Sequence, residues 1–350
     1  MPQETDSDPH SQIIEAIQGS DLDQVRSLLD DDASLIDAKD DAGLILFHTA
    51  AMYGYSRRTE VNKPIIDLLL DRGLKPDIFA CAYLRMSDTG SQLISSDPEC
   101  VHSTTSRGAT ALHFSAEIGD LGFTRTLVEA GADIDSIDGR GETPLLRALH
   151  AGPWKPEPAD DVVDYLLSQG AAVTHHVAAA MGDIDRLKAT LDVSPDRIDE
   201  LDDQGCPALF YSAKNNRPDA VAFLLERGTD VNRPCKDGQT PVSTATLHTL
   251  SQECDLGMLQ SLVDAGAEYG IRTAIALNDI ERTESLLKED SSLANDRDNW
   301  GPIHYAVHTW KPEIIKLLVS HGCELTEEDI GHIRRIAEKK DVSVDSIISS

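Results

Sequence analysis

Apolar residues along this chain fall into short blocks with helical spacing, and the blocks come in pairs. Some ten times a segment carrying small residues is followed by a bulkier one reading LL-x-x-G or LL-x-x-D, then by a short polar link and a fresh start. The clearest pair lies between Thr105 and Asp138. Gly108 sits in a polar turn, Thr110 is a natural N-cap, and Leu112, Ala116, Leu127 and Val128 are apolar at helical spacing. This predicts a short first helix over 111–118, whose Ala111, Ser115 and Ala116 allow close approach, and a bulkier second helix over 123–130. Gly131 stops the second, because glycine takes the left-handed backbone that a helix end needs. Neither helix is long enough to be stable alone, so each pair must bury its apolar side against the next.

The start of each pair repeats as Thr110-Ala111-Leu112-His113, Thr143-Pro144-Leu145, Thr240-Pro241-Val242 and Pro302-Ile303-His304. The exits repeat in phase, as Gly131-Ala132-Asp133, Gly170-Ala171-Ala172, Gly228-Thr229-Asp230, Gly266-Ala267-Glu268 and Gly322-Cys323-Glu324. Together these resemble the ankyrin repeat, with its polar turn, TPLH-like helix start and GAD-type exit. The resemblance runs over residues 11–326 and implies an all-α ankyrin-repeat solenoid of about ten helix-turn-helix units.

A longer period lies above the single repeat. Gly43, Gly141 and Gly238 are 98 and 97 residues apart, and Gly73, Gly170 and Gly266 are 97 and 96 apart. These glycines bracket long units. Compact units start at Gly108 and Gly205, and a third has Asn299 in the turn position. Shortened units without the TPLH element lie at 78–106, 175–203 and 271–298. The chain therefore divides into a polar, disordered tail at 1–10, a repeat region at 11–326 and a capping helix with tail at 327–350. Within the repeats, one short unit precedes three super-repeats of about 96 residues, as a duplicated three-unit block would leave. The long units carry insertions between their helices, containing Tyr55, Arg57 and Arg58, then Trp154 and Lys155, then Glu253 and Cys254, expected to project from one edge. Pro64, Pro156, Pro218 and Pro312 each follow a basic residue, where a first helical turn has no hydrogen bond to lose.

Charge narrows the partners. Asp and Glu outnumber Lys and Arg by 61 to 31, a formal charge of −30. Such a surface repels phosphates, so nucleic-acid binding is not expected. It fits a highly soluble or salt-adapted chain, or a protein partner with a basic patch. No run of 18 apolar residues suggests a membrane span, and the acidic start lacks the features of a signal peptide. A cytoplasmic monomer is expected. The six cysteines show no CxxC spacing, which suits reduced thiols better than disulfides or a zinc site.

Catalytic motifs are not evident: there is no GxSxG, GxxxxGK[ST], HExxH or strand-linked GxGxxG. No cofactor or metal is expected. His175-His176 is the one local cluster, and without a third ligand it reads as a turn histidine followed by a helix-start histidine. His48, His113 and His304 hold the histidine slot of the TPLH-like segment, which the resemblance assigns to hydrogen bonds between neighbouring turns. Leu146, Phe210 and Ser243 take that slot elsewhere, so the network is expected to be interrupted there, with apolar contact compensating at Leu146 and Phe210.

The resemblance implies partner binding by turn tips and the exposed side of the first helices, which together are expected to form a concave face. Mapped onto this chain, those positions are Met52, Tyr53, Arg107, Glu117, Arg140, His150, Asp203, Lys214, Asn215, Trp300, His308 and Thr309, with Trp154 added from the second insertion. Trp300 stands out, because a compact turn does not need an indole and tryptophan is enriched in binding hot spots. The expected function is a non-enzymatic protein-interaction scaffold. The alternative is an enzyme or small-ligand protein whose pocket is built from an insertion, with His150, His175, His176 or His248 as polar groups.

Overall fold

The computed structural model describes residues 8–39, 45–55, 63–149, 159–251, 255–297 and 300–348, with the side chains at 51–55, 248, 251, 345 and 346 outside that description. Regular structure among these residues is helical, apart from the isolated bridges Lys39 to Ile45 and Leu201 to Pro207. Helices follow one another in pairs through two compact units, divided between Ala172 and Val173. Five pairs are traced in each unit, so the repeat number of about ten holds.

The two helices of a pair differ as their side chains require. In the helix Ala111–Glu117 every residue from Ala111 to Ala116 is buried, and small side chains at three of those positions, Ala111, Ser115 and Ala116, let the flanking first helices approach closely. The second helix, Leu121–Glu129, is amphipathic and buries Phe123, Thr124 and Leu127. It begins two residues earlier than the periodicity predicts, because the Asp120 carboxylate accepts the Phe123 N–H at 3.0 Å and caps the first turn. Asp21, Asp183 and Asp279 cap other second helices in the same way. Pro218 and Pro312 instead open theirs at the first turn, whereas Pro156 lies outside the described residues.

Two left-handed positions punctuate the pairs. Gly131 has φ 94°, and the Ala132 N–H behind it bonds to the Leu127 carbonyl at 3.0 Å, closing the helix end. Between the helices of a pair the chain turns through a second left-handed residue: Gly119 and Gly182 in two repeats, but Ser20, Arg85, Asn216, Asn278 and Trp310 in others. The shortened units leave their second helix differently. Each runs into a 3-10 turn, at Ala33–Asp37, Pro98–His102, Pro195–Asp199 and Ser291–Asn295, where no exit glycine is available.

In the first unit one apolar cluster joins Ile13, Ile17, Leu29, Leu46, Ile65 and Leu69. In the second, one cluster centres on Leu187, Leu209, Leu224 and Leu259, and another on Ile275, Ile303, Leu318 and Ile333. Ile333 belongs to the helix Glu327–Lys339, which is capped by Thr326 and followed by the short helix Asp345–Ile348.

The expectation of reduced cysteines is corrected at one pair. Cys206 and Cys235 form a disulfide, with their Cα atoms 4.4 Å apart. They lie 29 residues apart in sequence, about one repeat, so stacking carries them to adjoining turns. Sequence spacing alone conceals that proximity. Cys81, Cys100 and Cys323 are free thiols, and Cys254 lies outside the described residues.

Candidate partner-binding surface

The last repeat of the second unit carries an exposed aromatic residue of this surface, Trp300. Trp300 is 43 % exposed and has φ 63°, a left-handed conformation that disfavours a bulky side chain. Its carbonyl accepts the Arg272 Nε–H at 3.0 Å, and Arg272 also pairs with Asp296 at 3.0 Å. The backbone is thus held from the preceding repeat while the side chain is left partly exposed. Its ring makes edge contacts with His304 and His308, at centroid distances of 6.3 and 6.0 Å. Gly301 is obligatory beside it, since a Cβ there would lie 1.8 Å from the Asp296 carbonyl oxygen. Asn299, assigned to the turn position by its spacing, lies outside the described residues.

The helix Pro302–His308 aims both histidines from one face. His308 Nε2 lies 2.6 Å from the Leu250 carbonyl and His304 Nε2 lies 3.6 Å from Asp329, which Arg297 also engages at 2.8 Å. Thr309 turns back, its hydroxyl donating to the Tyr305 carbonyl at 2.6 Å. Next to His308 and Thr309 opens a cavity of about 410 Å³, lined further by Trp310, Lys311, Lys340 and Leu256. Neither His175 nor His176 lines it, and His150 and the His248 side chain lie outside the described structure.

Other predicted positions distribute as follows. In the first unit Arg107 and Arg140 are exposed, and the Arg107 carbonyl accepts the Gly139 N–H at 2.6 Å, placing the two turns side by side. In the second unit Asp203 is exposed and its carbonyl accepts from the Lys236 ammonium at 2.5 Å. Lys214 lies with its ammonium 5.9 Å from the Phe210 ring centre. Asn215 is placed inside, only 2 % exposed, with its amide nitrogen donating to the Tyr211 carbonyl at 2.9 Å. Met52 and Tyr53 lie in the helix Leu46–Tyr55 with side chains outside the description, and Trp154 lies outside the described residues, as do most of the three insertions.

Glu117 leads to a cluster that the sequence does not reveal. Arg147 is buried in the first unit and pairs with Glu117 at 2.7 Å, with Asp138 through two guanidinium nitrogens, and with Glu142 at 3.7 Å. Its guanidinium also lies over the Phe114 ring, 5.3 Å from the centre. Burial works against the charge, but the three carboxylates outweigh it and raise the Arg147 pKa above its ordinary value.

The histidine slots link repeats. His113 Nδ1 accepts the Thr110 N–H at 3.1 Å, which leaves Nε2 to donate to the Glu142 carbonyl of the next turn at 2.9 Å. Burial, reinforced by the Arg147 charge, pushes its pKa down to about 4. His48 Nε2 lies 3.0 Å from Asp77, which caps the next repeat's first helix. At the slots without histidine, Leu146 and Phe210 are buried, and Ser243 completes a capping box with Thr240.

His175 and His176 are both buried near the start of the helix His175–Met181, their ring centres 3.9 Å apart. His176 Nε2 reaches the Glu200 carbonyl at 3.0 Å, so it too bridges to the next turn. Burial and the neighbouring His176 push the His175 pKa down to about 4. Among the described residues no group of three or more His, Cys, Asp and Glu is arranged to hold a metal ion. None of the described helices is long and apolar enough to cross a membrane.

Comparison with known proteins agrees with this architecture. A profile of ankyrin repeats in three copies matches residues 78–176 and again 175–273, and the single ankyrin-repeat profile matches 298–330. The human transient receptor potential cation channel subfamily A member 1 is 24 % identical over 251 residues, covering 65 % of this chain and 22 % of the channel. Human NAD-capped RNA hydrolase NUDT12 is 31 % identical over 137 residues, covering 38 % of this chain and 28 % of the hydrolase. Neurogenic locus notch homolog protein 1 of Cricetulus griseus is 30 % identical over 152 residues, covering 41 % of this chain and 6 % of that protein. The chain thus spans less than a third of each of these relatives. Repeat profiles over most of the chain, with paired helices and histidine links between turns, make this chain a member of the ankyrin-repeat family.

Proposed function

We propose that this chain is a non-enzymatic interaction scaffold that holds another protein against the surface around Trp300. The observation that carries the reading is Trp300 itself: it is partly exposed, in a backbone conformation that costs about 1–2 kcal/mol for an L-residue, with its ring edge against His304 and His308. The relatives support the class, because similar stretches occur in a cation channel, an RNA hydrolase and a notch homolog. A segment shared by proteins of such different names fits a common recognition role better than any one of their activities. A charge of −30 favours a partner with a basic patch, and a cytoplasmic monomer goes with this reading.

The test is isolation of partners from the native host, followed by titration calorimetry with the partner obtained. Trp300→Ala should weaken binding by about 2 kcal/mol or more, as for a hot spot, with the unfolding midpoint nearly unchanged. Unaltered affinity would remove Trp300 from the surface.

The small-ligand reading has one observation in its favour, the cavity beside His308. Its Lys311, Lys340 and Trp310 suit an aromatic anion. Thermal-shift screening of such compounds tests it, with Lys311→Ala as the control that should abolish any shift.

A further inference from the structure

Among the described residues, four turns that open repeats share one hydrogen-bond scheme, and one of them replaces the residue that supports it. In each, the first residue's N–H bonds to the carbonyl four residues on: Thr105 to Ala109, Asp138 to Glu142, Asp202 to Cys206 and Cys235 to Gln239, at 2.9, 3.1, 3.1 and 2.8 Å. The first side chain then ties the loop from inside. Asp138 Oδ1 accepts the N–H groups of Arg140 and Glu142 at 2.8 and 3.0 Å, and Asp202 Oδ1 accepts those of Gln204 and Cys206 at 2.9 and 2.8 Å. Thr105 does the same more weakly, its hydroxyl accepting the Ala109 N–H at 3.2 Å. Cys235 stands in this position with a sulfur, a poor acceptor. Asp237 takes the Gln239 N–H instead, at 3.0 Å.

Cys235 has a different tie. It is bonded to Cys206, the residue that closes the preceding turn, and each cysteine is only 5 % exposed. Two further bonds join the same turns without sulfur: the Lys236 N–H donates to the Gln204 carbonyl at 2.9 Å, and the Lys236 ammonium to the Asp203 carbonyl at 2.5 Å. These contacts keep the turns adjacent when the sulfur bond is open, so the thiols stay placed to re-form it. Burial of the sulfurs means that a reductant reaches them only when the turn opens, which links exchange to local loosening.

We propose that Cys206–Cys235 is a reversible redox clasp, in which a covalent bond between neighbouring turns replaces the carboxylate that holds the equivalent turns from within. A dithiol thiolate attacks one sulfur and breaks the S–S bond, forming a mixed disulfide. Its second thiol then displaces the cysteine thiolate, so the protein gains two electrons and two protons and the dithiol becomes a cyclic disulfide. Oxidised glutathione reverses the reaction through a mixed disulfide and leaves as two reduced thiols. The proposal rests on the turns alone and needs no binding partner.

The test uses the full chain purified in air without reductant. Maleimide labelling under denaturing conditions should modify four thiols, the six cysteines less the bridged two, and all six after dithiothreitol. Peptide mapping should join Cys206 to Cys235. Reduction should lower the unfolding midpoint by on the order of 5 °C, and oxidised glutathione should restore it. Cys235→Asp supplies the carboxylate of the sister turns, so its midpoint should ignore dithiothreitol and lie above that of Cys235→Ala. Six labelled thiols without reductant would overturn the clasp. A Cys235→Asp midpoint no higher than that of Cys235→Ala would overturn the equivalence of sulfur bond and carboxylate. If either variant fails to fold, the labelling of the native chain still decides.

Discussion

The Phe123 ring fills the space where Gly90 would carry a side chain: a Cβ on Gly90 would lie 2.3 Å from Phe123 Cζ. Gly90 belongs to the helix Ser87–Ser96 and Phe123 to the next repeat's second helix, so the glycine is a seat for an aromatic ring across a repeat boundary. Gly90→Ala should therefore destabilise the first unit by about 1–3 kcal/mol, despite the better helix propensity of alanine. Urea unfolding checks it, and a gain in stability would mean that Phe123 moves aside freely.

Arg147 gives a second prediction. Arg147→Met keeps much of the volume but strands the buried carboxylates Asp138 and Glu142. Loss of one partner from a buried ionic cluster costs about 3–5 kcal/mol. Arg147→Lys should recover part of this, since an ammonium keeps the charge but not the fork that meets Asp138 and Glu117 together. A loss under about 1 kcal/mol for the methionine variant would show that water replaces the guanidinium.

Acid should weaken the fold over a defined range. His113 and His175 are held neutral by burial, with pKa values near 4 against a usual 6.5. Between those values the unfolded chain binds more protons than the folded one, so stability is full above about pH 6.5 and falls as pH drops toward 4. Below 4 both states are protonated at these sites and their contribution levels off. Unfolding midpoints measured from pH 7.5 to 4.5 should decline, and His175→Gln should decline less steeply than the parent.

Salt should act in the opposite sense to its effect on a protein held by surface ion pairs. With a charge of −30, self-repulsion is relieved as the screening length falls from about 10 Å at 0.1 M to about 3 Å at 1 M. The unfolding midpoint should rise over that range in sodium chloride. A fall would mean that pairs such as Arg72 with Asp30 and Arg227 with Asp192 outweigh the repulsion.

Much of the fold is legible in the sequence because its signals are local. Small residues in the first helix, Gly131 at the exit and His113 at the helix start all act within a few residues or on the next turn. The Asp120 cap is also local, and the same aspartate signal stands before the second helices that begin after Asp21, Asp183 and Asp279. What escapes depends on the stack. Arg147 carries no local signal of its role, because Glu117 of the preceding repeat reaches it, beside Asp138 and Glu142, only through stacking. Asn215 reads as a surface residue until its side chain folds onto the Tyr211 carbonyl. Cys206 and Cys235 are unrelated in sequence and meet only because one repeat separates them.

The histidine links have a consequence for how the chain fails. His48 reaches Asp77, His113 reaches Glu142 and His176 reaches Glu200, each bridging only to the adjoining repeat. At these three links cohesion is passed from neighbour to neighbour, as between bricks mortared at their joints, whereas His308 reaches past the shortened unit at 271–298 to the Leu250 carbonyl. A lesion at one joint is felt first by the two repeats that share it, while the courses on either side keep their own bonds. Fraying into blocks is the natural mode of collapse for such a chain, and the sulfur bond at Cys206 and Cys235 is the one covalent joint among the described residues.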